Sequence, residues 1–418
     1  MKSPLKTPAV IHNIVKMDDF NKSGIHVTPT IGDGDTICNN TNFQVDTGSS
    51  GIVAGLENFG LIGYEELDKK YPCFGVYTMH YYPSTISHTG KWYYMPVCFA
   101  GTDSSNPPIA VTIQSHAMVL VCPGSVGMMG VSAKGENPAF NVFLQASMSA
   151  PYCETVPLDP GYTLFRERVL LGTTTSNMKG YVGSSLTMVS PPPLPTQTND
   201  VKFTPPFPSN PASKDGQPQD TACWTVPPVT LQITAPGQDT PAPSYPLCFE
   251  LDTGINQVLI AMPYDFADTT GNPLPPTALG QYNAGAGQWF FAPKTTLTVT
   301  FPPGATSDDG ISYSWTVGVA PTAGEAGPTG PTLYMGPPTY TSTIQQPQGP
   351  TKLPPLSGNL SPELLPPGAK PAPEHHAATA QPLQNNNFPR VNVGRCPLNA
   401  WSYLFDAQNG FIGFKAIG

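Results

Sequence analysis

Two short stretches of this chain carry the same chemistry. Phe43-Gln44-Val45-Asp46-Thr47-Gly48 and Phe249-Glu250-Leu251-Asp252-Thr253-Gly254 differ only by Gln for Glu and Val for Leu. A single Asp-Thr-Gly reads as a strand ending in a turn, because Asp and Gly are common turn formers. Here each copy is followed at the same distance by an apolar pair, Ile52-Val53 or Val258-Leu259. Matched surroundings of this kind point to a duplicated half-site. Two carboxyls brought to one water cannot both ionise, so the pair shares a proton and offers an acid and a base at once. Gly after Asp-Thr permits the tight turn that presents each carboxyl.

Elements able to position two such turns are legible in the composition. Charged residues make up 11% of the 418, while Pro (52) and Gly (40) are abundant, which marks a turn-rich chain with few ion pairs. Short runs rich in Val, Thr, Ile, Tyr and Phe lie between Gly, Pro, Asn and Asp clusters, as in an all-β protein. KWYYMPVCFA (91–100) and AVTIQSHAMVLV (110–121) are examples. One short helix is predicted over 138–150, where Pro138 suits a first turn and Phe140, Phe143, Leu144 and Met148 fall on one face. The length suits two or three domains. An N-terminal β lobe over 1–188, a Pro-rich linker over 189–222 and a C-terminal β lobe over 223–418 are expected, the last interrupted by a low-complexity insert at about 320–390.

The net charge of −9 comes from 28 acidic and 19 basic residues, the latter scattered, which argues against a nucleic-acid partner. No apolar run is long enough to span a membrane, so no membrane partner is expected. The first twenty residues lack the apolar core of a secretory signal, which favours a cytoplasmic location with export as the alternative. The eight cysteines form no C-x-x-C pair, against a zinc ribbon, and leave disulfides open. His375-His376 lies in the Pro-rich tract and reads as solvated rather than metal-bound.

At this point the chain resembles a family. VDTGSSGIV is similar to the first active-site loop of pepsin-like aspartic peptidases, and LDTGINQVLIAMP to their second. GMMG (127–130), followed by NVFLQ, resembles the segment that crosses behind the first loop, and VNVG (391–394) resembles its counterpart. RVLLGTTTSNMKGYVG (168–183) and YLFDAQNGFIGF resemble further family strands. The resemblance implies a bilobal pepsin-like acid protease fold with the active-site cleft between two related β lobes. It implies that Asp46 and Asp252 are the catalytic pair, that Thr47 and Thr253 hold the loops together, that Gly48 and Gly254 form the turns, and that Ser49 hydrogen-bonds the Asp46 carboxylate. A flap carrying a tyrosine is expected within HYYPSTISHTGKWYY (80–94), with Tyr82 as the flap residue and Tyr81 as the alternative. The implied reaction is attack of an activated water on a peptide carbonyl, with polypeptides as substrates, apolar residues preferred around the cut, no metal or cofactor, and a monomer sufficient.

The sequence also departs from the family pattern. The hydroxyl residue usual after the second Asp-Thr-Gly is Ile255, followed by Asn256. Loss of that hydroxyl should raise the dyad's apparent pKa and make the pH optimum less acidic. Val53 stands where the family carries Trp, leaving Trp92 as a candidate substitute partner for the flap tyrosine, and the usual short Cys loop is missing. Only 45 residues precede Asp46, so a chain competent without removal of a pro-segment is expected. These departures keep a second reading in view, a catalytically weak pepsin-fold binding or inhibitor-type protein. A Pro-rich structural protein with accidental turns is the third, and it leaves the ordered matches unexplained.

Overall fold

The computed structural model describes residues 7–16, 19–38, 42–81, 86–132, 138–186, 188–189, 223–224, 227–234, 236–237, 245–255, 259–261, 280–283, 288–291, 294–303, 311–316, 343–345 and 390–417. Among them the regular structure is mostly strand, with α-helix only at Phe20–Ser23 and Glu65–Lys70. No described helix is long and apolar enough to cross a membrane. The chain divides into two compact units. One takes in Met1–Lys179, Thr187–Trp224 and Leu404–Gly410, the other Gly180–Leu186, Thr225–Tyr403 and Phe411–Gly418.

The first unit is built on a long hairpin. Ser87–Asp103 and Ala110–Cys122 pair antiparallel from Lys91 opposite Val121 to Thr102 opposite Ala110. Alternation along the second strand buries Val111, Ile113 and Ala117, the period-2 pattern of a half-buried strand. Asp103 ties the connecting turn: its buried Oδ1 accepts from Ser105 N (3.1 Å), Ser105 Oγ (2.6 Å) and Ile109 N (2.9 Å). In the core, the Tyr162 ring lies edge-on to Phe143 and Phe405 at 5.5 and 5.6 Å. Asp406, fully buried, accepts from Thr175 N, Thr175 Oγ1 and Asn409 Nδ2 through Oδ2, and from Asn409 N through Oδ1.

The helix expected over 138–150 does not form. That stretch makes two 3-10 turns, Pro138–Phe140 and Val142–Leu144, and then a strand, Ser147–Ser149. Asn141 stops it. Its backbone is extended (φ −127°, ψ 98°), its Oδ1 accepts from Phe143 N, and its Nδ2 donates to Val131 O at 3.0 Å. A buried amide satisfied outside the helix outcompetes helical apolar spacing.

A second hairpin pairs Cys73–His80 with the start of Ser87–Asp103. The helix Glu65–Lys70 braces it through Asp68, which accepts from Lys91 Nζ at 2.7 Å and from Tyr93 Oη at 2.6 Å. These bonds, that from Lys91 foremost, hold the Asp68 carboxyl below the ordinary carboxylate range. A lowered folded-state pKa stabilises above the unfolded value and is lost as pH falls through the folded one. Asp68→Asn is therefore expected to lower the urea midpoint at about pH 6 and to leave it unchanged at about pH 2. An equal loss at both pH values would count against the charge contribution.

In the second unit, Pro228–Thr234 pairs with Tyr245–Glu250 and with Thr296–Phe301, which pairs in turn with Ile311–Thr316. Phe249 stacks on Phe301 at 4.7 Å, and the Phe414 ring meets both edge-on. Facing hydroxyls link the outer strands, Thr298 to Ser314 at 2.6 Å and Thr300 to Ser312 at 3.1 Å. Within the stretch expected to be a low-complexity insert, Thr343–Gln345 forms a strand parallel to Leu259–Ala261. Of the expected linker, Val189 pairs with Cys223, and 190–222 lies outside the described residues. Among the described cysteines, Cys73, Cys98 and Cys122 form no disulfide.

Candidate active site

In the first unit the strand Phe43–Asp46 ends at the first Asp-Thr-Gly, and the chain turns back as Ser50–Gly55. The strand Gly127–Val131 threads between these two. It runs parallel to the first, with Met128 level with Gln44 and Gly130 level with Asp46, and antiparallel to the second, with Met128 opposite Val53 and Gly130 opposite Gly51. The turn must be narrow here. Gly51 has φ +80°, and a Cβ on it would lie 2.7 Å from the Trp92 ring.

The buried Asp46 carboxylate is held by its own loop: Gly48 N donates to Oδ1 at 2.8 Å and Ser49 Oγ to Oδ2 at 2.5 Å. Ser132 N donates to Ser49 O at 2.9 Å, tying the loop to the threading strand. Tyr162 Oη and Asn141 Nδ2 both donate to Val131 O, fixing that strand from behind. Thr47 is buried next to the carboxylate.

The second unit repeats the arrangement. Tyr245–Glu250 leads to the second Asp-Thr-Gly and Leu259–Ala261 returns, with Arg390–Asn392 threading between them. Glu250 is level with Asn392 in the parallel pairing, and Leu259 is opposite Asn392 in the antiparallel one. This is the register of Gln44, Met128 and Val53. Gly254 N donates to Oδ1 of the buried Asp252 at 2.9 Å, matching Gly48, and Thr253 is fully buried.

The two loops differ at the other carboxylate oxygen. Ile255 supplies no hydroxyl, as the sequence indicates, yet Asp252 Oδ2 is not left short: Asn392 Nδ2 donates to it at 2.8 Å. The premise that the second carboxylate loses a hydrogen bond is thus corrected. Gly394 N donates to Asn392 Oδ1 at 3.0 Å, and this bond orients the amide so that its N–H₂ faces Asp252. The buried Arg395 closes the loop from the far side, Nε donating to Ile255 O and Nη2 to Gly254 O, both at 2.9 Å. Asn392 and Arg395 are the residues that reasoning from motifs passed over. Aligning VNVG on GMMG by their final glycines would have exposed the first, a polar residue in the place of Met128.

Tyr82, expected as the flap residue, lies outside the described residues, as do Asn256, Val258 and the pair His375-His376. Tyr81 is described. It packs on the cluster of Val53, Trp92, Met118, Leu120 and Phe140, and its ring is edge-on to His88 at 5.8 Å. Burial, and next the Asp46 charge, push its hydroxyl pKa up, so the phenol stays neutral and within the field of that carboxylate. Trp92 belongs to the same cluster and sits edge-on to Phe140 at 5.2 Å. It packs in that cluster together with Val53. Among the described residues no three His, Cys, Asp or Glu gather as a metal site would require.

No family model matches the sequence, and no curated protein matches it. Among solved structures, an aspartic proteinase from Irpex lacteus aligns over 98% of this chain and 96% of its own, at 14% identity and a TM-score of 0.39.

Proposed function

We propose that the chain is an aspartic endopeptidase in which Asp46 and Asp252 form a proton-sharing pair. One observation carries this reading. Two Asp-Thr-Gly turns, each crossed by a threading strand in the same register, present carboxylates whose Oδ1 accepts from the glycine N–H two residues on. A structural turn has no need of a second copy built to this detail.

In the proposed reaction the ionised carboxylate takes a proton from water as the oxygen attacks the peptide carbonyl carbon, while the protonated partner gives its proton to the carbonyl oxygen. The resulting tetrahedral diol collapses as the carboxyl that took the water proton gives it to the nitrogen, the C–N bond breaks, and a diol hydroxyl returns its proton to the other carboxylate, so that the pair again holds one shared proton. No covalent enzyme intermediate forms. Thr47, Thr253, Gly48, Gly254 and Ser49 hold the carboxylates, and a flap tyrosine, Tyr81 or Tyr82, covers the substrate. Extended polypeptides with apolar residues at the cut fit the hairpin next to Tyr81, which exposes Val76, Tyr77 and Ile86.

The test is incubation of the purified protein with unfolded casein across the acidic to neutral range, with and without a statine-type transition-state inhibitor. Cleavage abolished by the inhibitor is expected. Absence of cleavage at every pH would leave the weakly catalytic binding protein as the better reading.

A further inference from the structure

The two half-sites match in register but hold their carboxylates by different chemistry. In the first, Ser49 Oγ bonds Asp46 Oδ2, and a hydroxyl can both donate and accept. It can turn its lone pair to a protonated carboxyl as readily as its proton to an ionised one. In the second, Asp252 Oδ1 faces the Gly254 N–H and Oδ2 faces the Asn392 N–H₂, and both groups can only donate. The amide cannot reverse without turning its N–H₂ onto the Gly394 N–H that now donates to its oxygen. Asn392 is 2% exposed, so water cannot readily substitute for it.

We propose that Asn392 is the positioning residue of the second half-site, taking over from across the sheet the place that a loop hydroxyl holds in the first. The proposal rests on reading Asp252 as a catalytic carboxylate. Its consequence is an asymmetric pair: two obligate donors favour Asp252 as the ionised partner, which takes the proton from water, and leave the shared proton to Asp46. Ile255 can stand where the family has a hydroxyl because the donor comes from a residue 140 positions beyond Asp252. Among the described residues, the other charged groups at this half-site are Arg395, which bonds the loop carbonyls of Gly254 and Ile255, and the buried Glu250, level with Asn392 on the neighbouring strand.

The experiment reads the titration of Asp252 directly, by carboxyl-carbon NMR of Asp-labelled protein in an Asp46→Asn background, where coupling to the first carboxyl is removed. Asp252→Asn assigns the resonance and Glu250→Gln identifies any contribution from its neighbour. Asn392→Leu is expected to raise the Asp252 midpoint by about one pH unit, and Ile255→Thr added to it should bring the midpoint back down. Should Asn392→Leu fail to fold, Asn392→Asp keeps the size and is expected to raise the midpoint further. In the unsubstituted protein, the Asn392 side-chain amide proton should shift with the same midpoint as Asp252. A midpoint unmoved in both Asn392 variants, or an amide proton indifferent to it, overturns the proposal. These readouts need no turnover, so an inactive protein would sink the peptidase reading and still decide this one. If the protein is active, the acidic limb of its pH–rate profile should move up in Asn392→Leu and return in the double variant.

Discussion

Asp46→Asn and Asp252→Asn are each expected to lower casein cleavage by about 10³-fold or more, with the double variant little worse than either. The size follows from the division of labour. Each substitution leaves one carboxyl that can act as acid or base but has no partner for the opposite role, and groups that act as a unit give losses that do not add. The two variants should nevertheless differ in stability, because the loops hold their side chains differently. At position 46 an amide oxygen can keep the Gly48 N–H, and its N–H₂ can donate to Ser49 Oγ, which reverses at little cost. At position 252 the amide oxygen can keep the Gly254 N–H, but the N–H₂ then meets the N–H₂ of Asn392, itself fixed by Gly394. Two buried donors face to face cost about 1–2 kcal/mol relative to the first variant. Casein assays and thermal melts on the same preparations check both parts. Cleavage that survives either substitution removes that residue from the mechanism.

Much of this arrangement is written in local patterns, and the rest depends on pairings between distant residues. The two turns are legible because their letters repeat, and the threading strands because GMMG and VNVG each follow a turn, in the same order, and end in a glycine. The all-β class follows from short Val-, Thr- and Tyr-rich runs, which do form strands, including the long hairpin through Trp92 and Leu120. The failures share a cause. Apolar spacing over 138–150 suggests a helix, but Asn141 finds its partners at Phe143, Val131 and Ser132, the last two reached only after the chain folds back. Asn392 stands in plain view within VNVG, and its partner Asp252 comes within reach only through the register of three strands. Arg395 is hidden likewise, since a charged residue reads as surface until its buried carbonyl partners are known. Low-complexity composition conceals the strand Thr343–Gln345, whose pairing partners Leu259–Ala261 and Gln288–Phe291 both lie far earlier in the chain.

Gly130→Ala is expected to unfold the first unit at a lower temperature and to disable the loop that carries Asp46. Gly130 is the point where the threading strand passes Asp46 on one side and Gly51 on the other. A Cβ there would come within 2.7 Å of Ser49 C, Ser49 O and Gly51 O, all of them backbone. Side chains can turn away from such an overlap, but these atoms are fixed. Ser49 O accepts from Ser132 N, and the Gly51 turn, at φ +80°, lies so near the Trp92 ring that it has no room for a side chain. The strand or the loop must therefore move, and overpacking of this kind costs about 3 kcal/mol, or about 6–12 °C in melting temperature for a unit of this size. Because Ser49 holds Asp46 Oδ2, the displacement also misplaces the carboxylate, and an error near 1 Å costs about 10²-fold in rate. Gly60→Ala is the control. Gly60 has a left-handed backbone, φ +69°, but a Cβ there meets nothing within 4 Å, so only the conformational strain of about 1 kcal/mol remains and activity should persist. Circular-dichroism melts of the two variants beside the unsubstituted protein, with casein assays on the same samples, make the comparison. If Gly130→Ala melts and cleaves like Gly60→Ala, the crossing behind the first loop is looser than the contacts of Ser49 require, and the loop is held by its own hydrogen bonds alone.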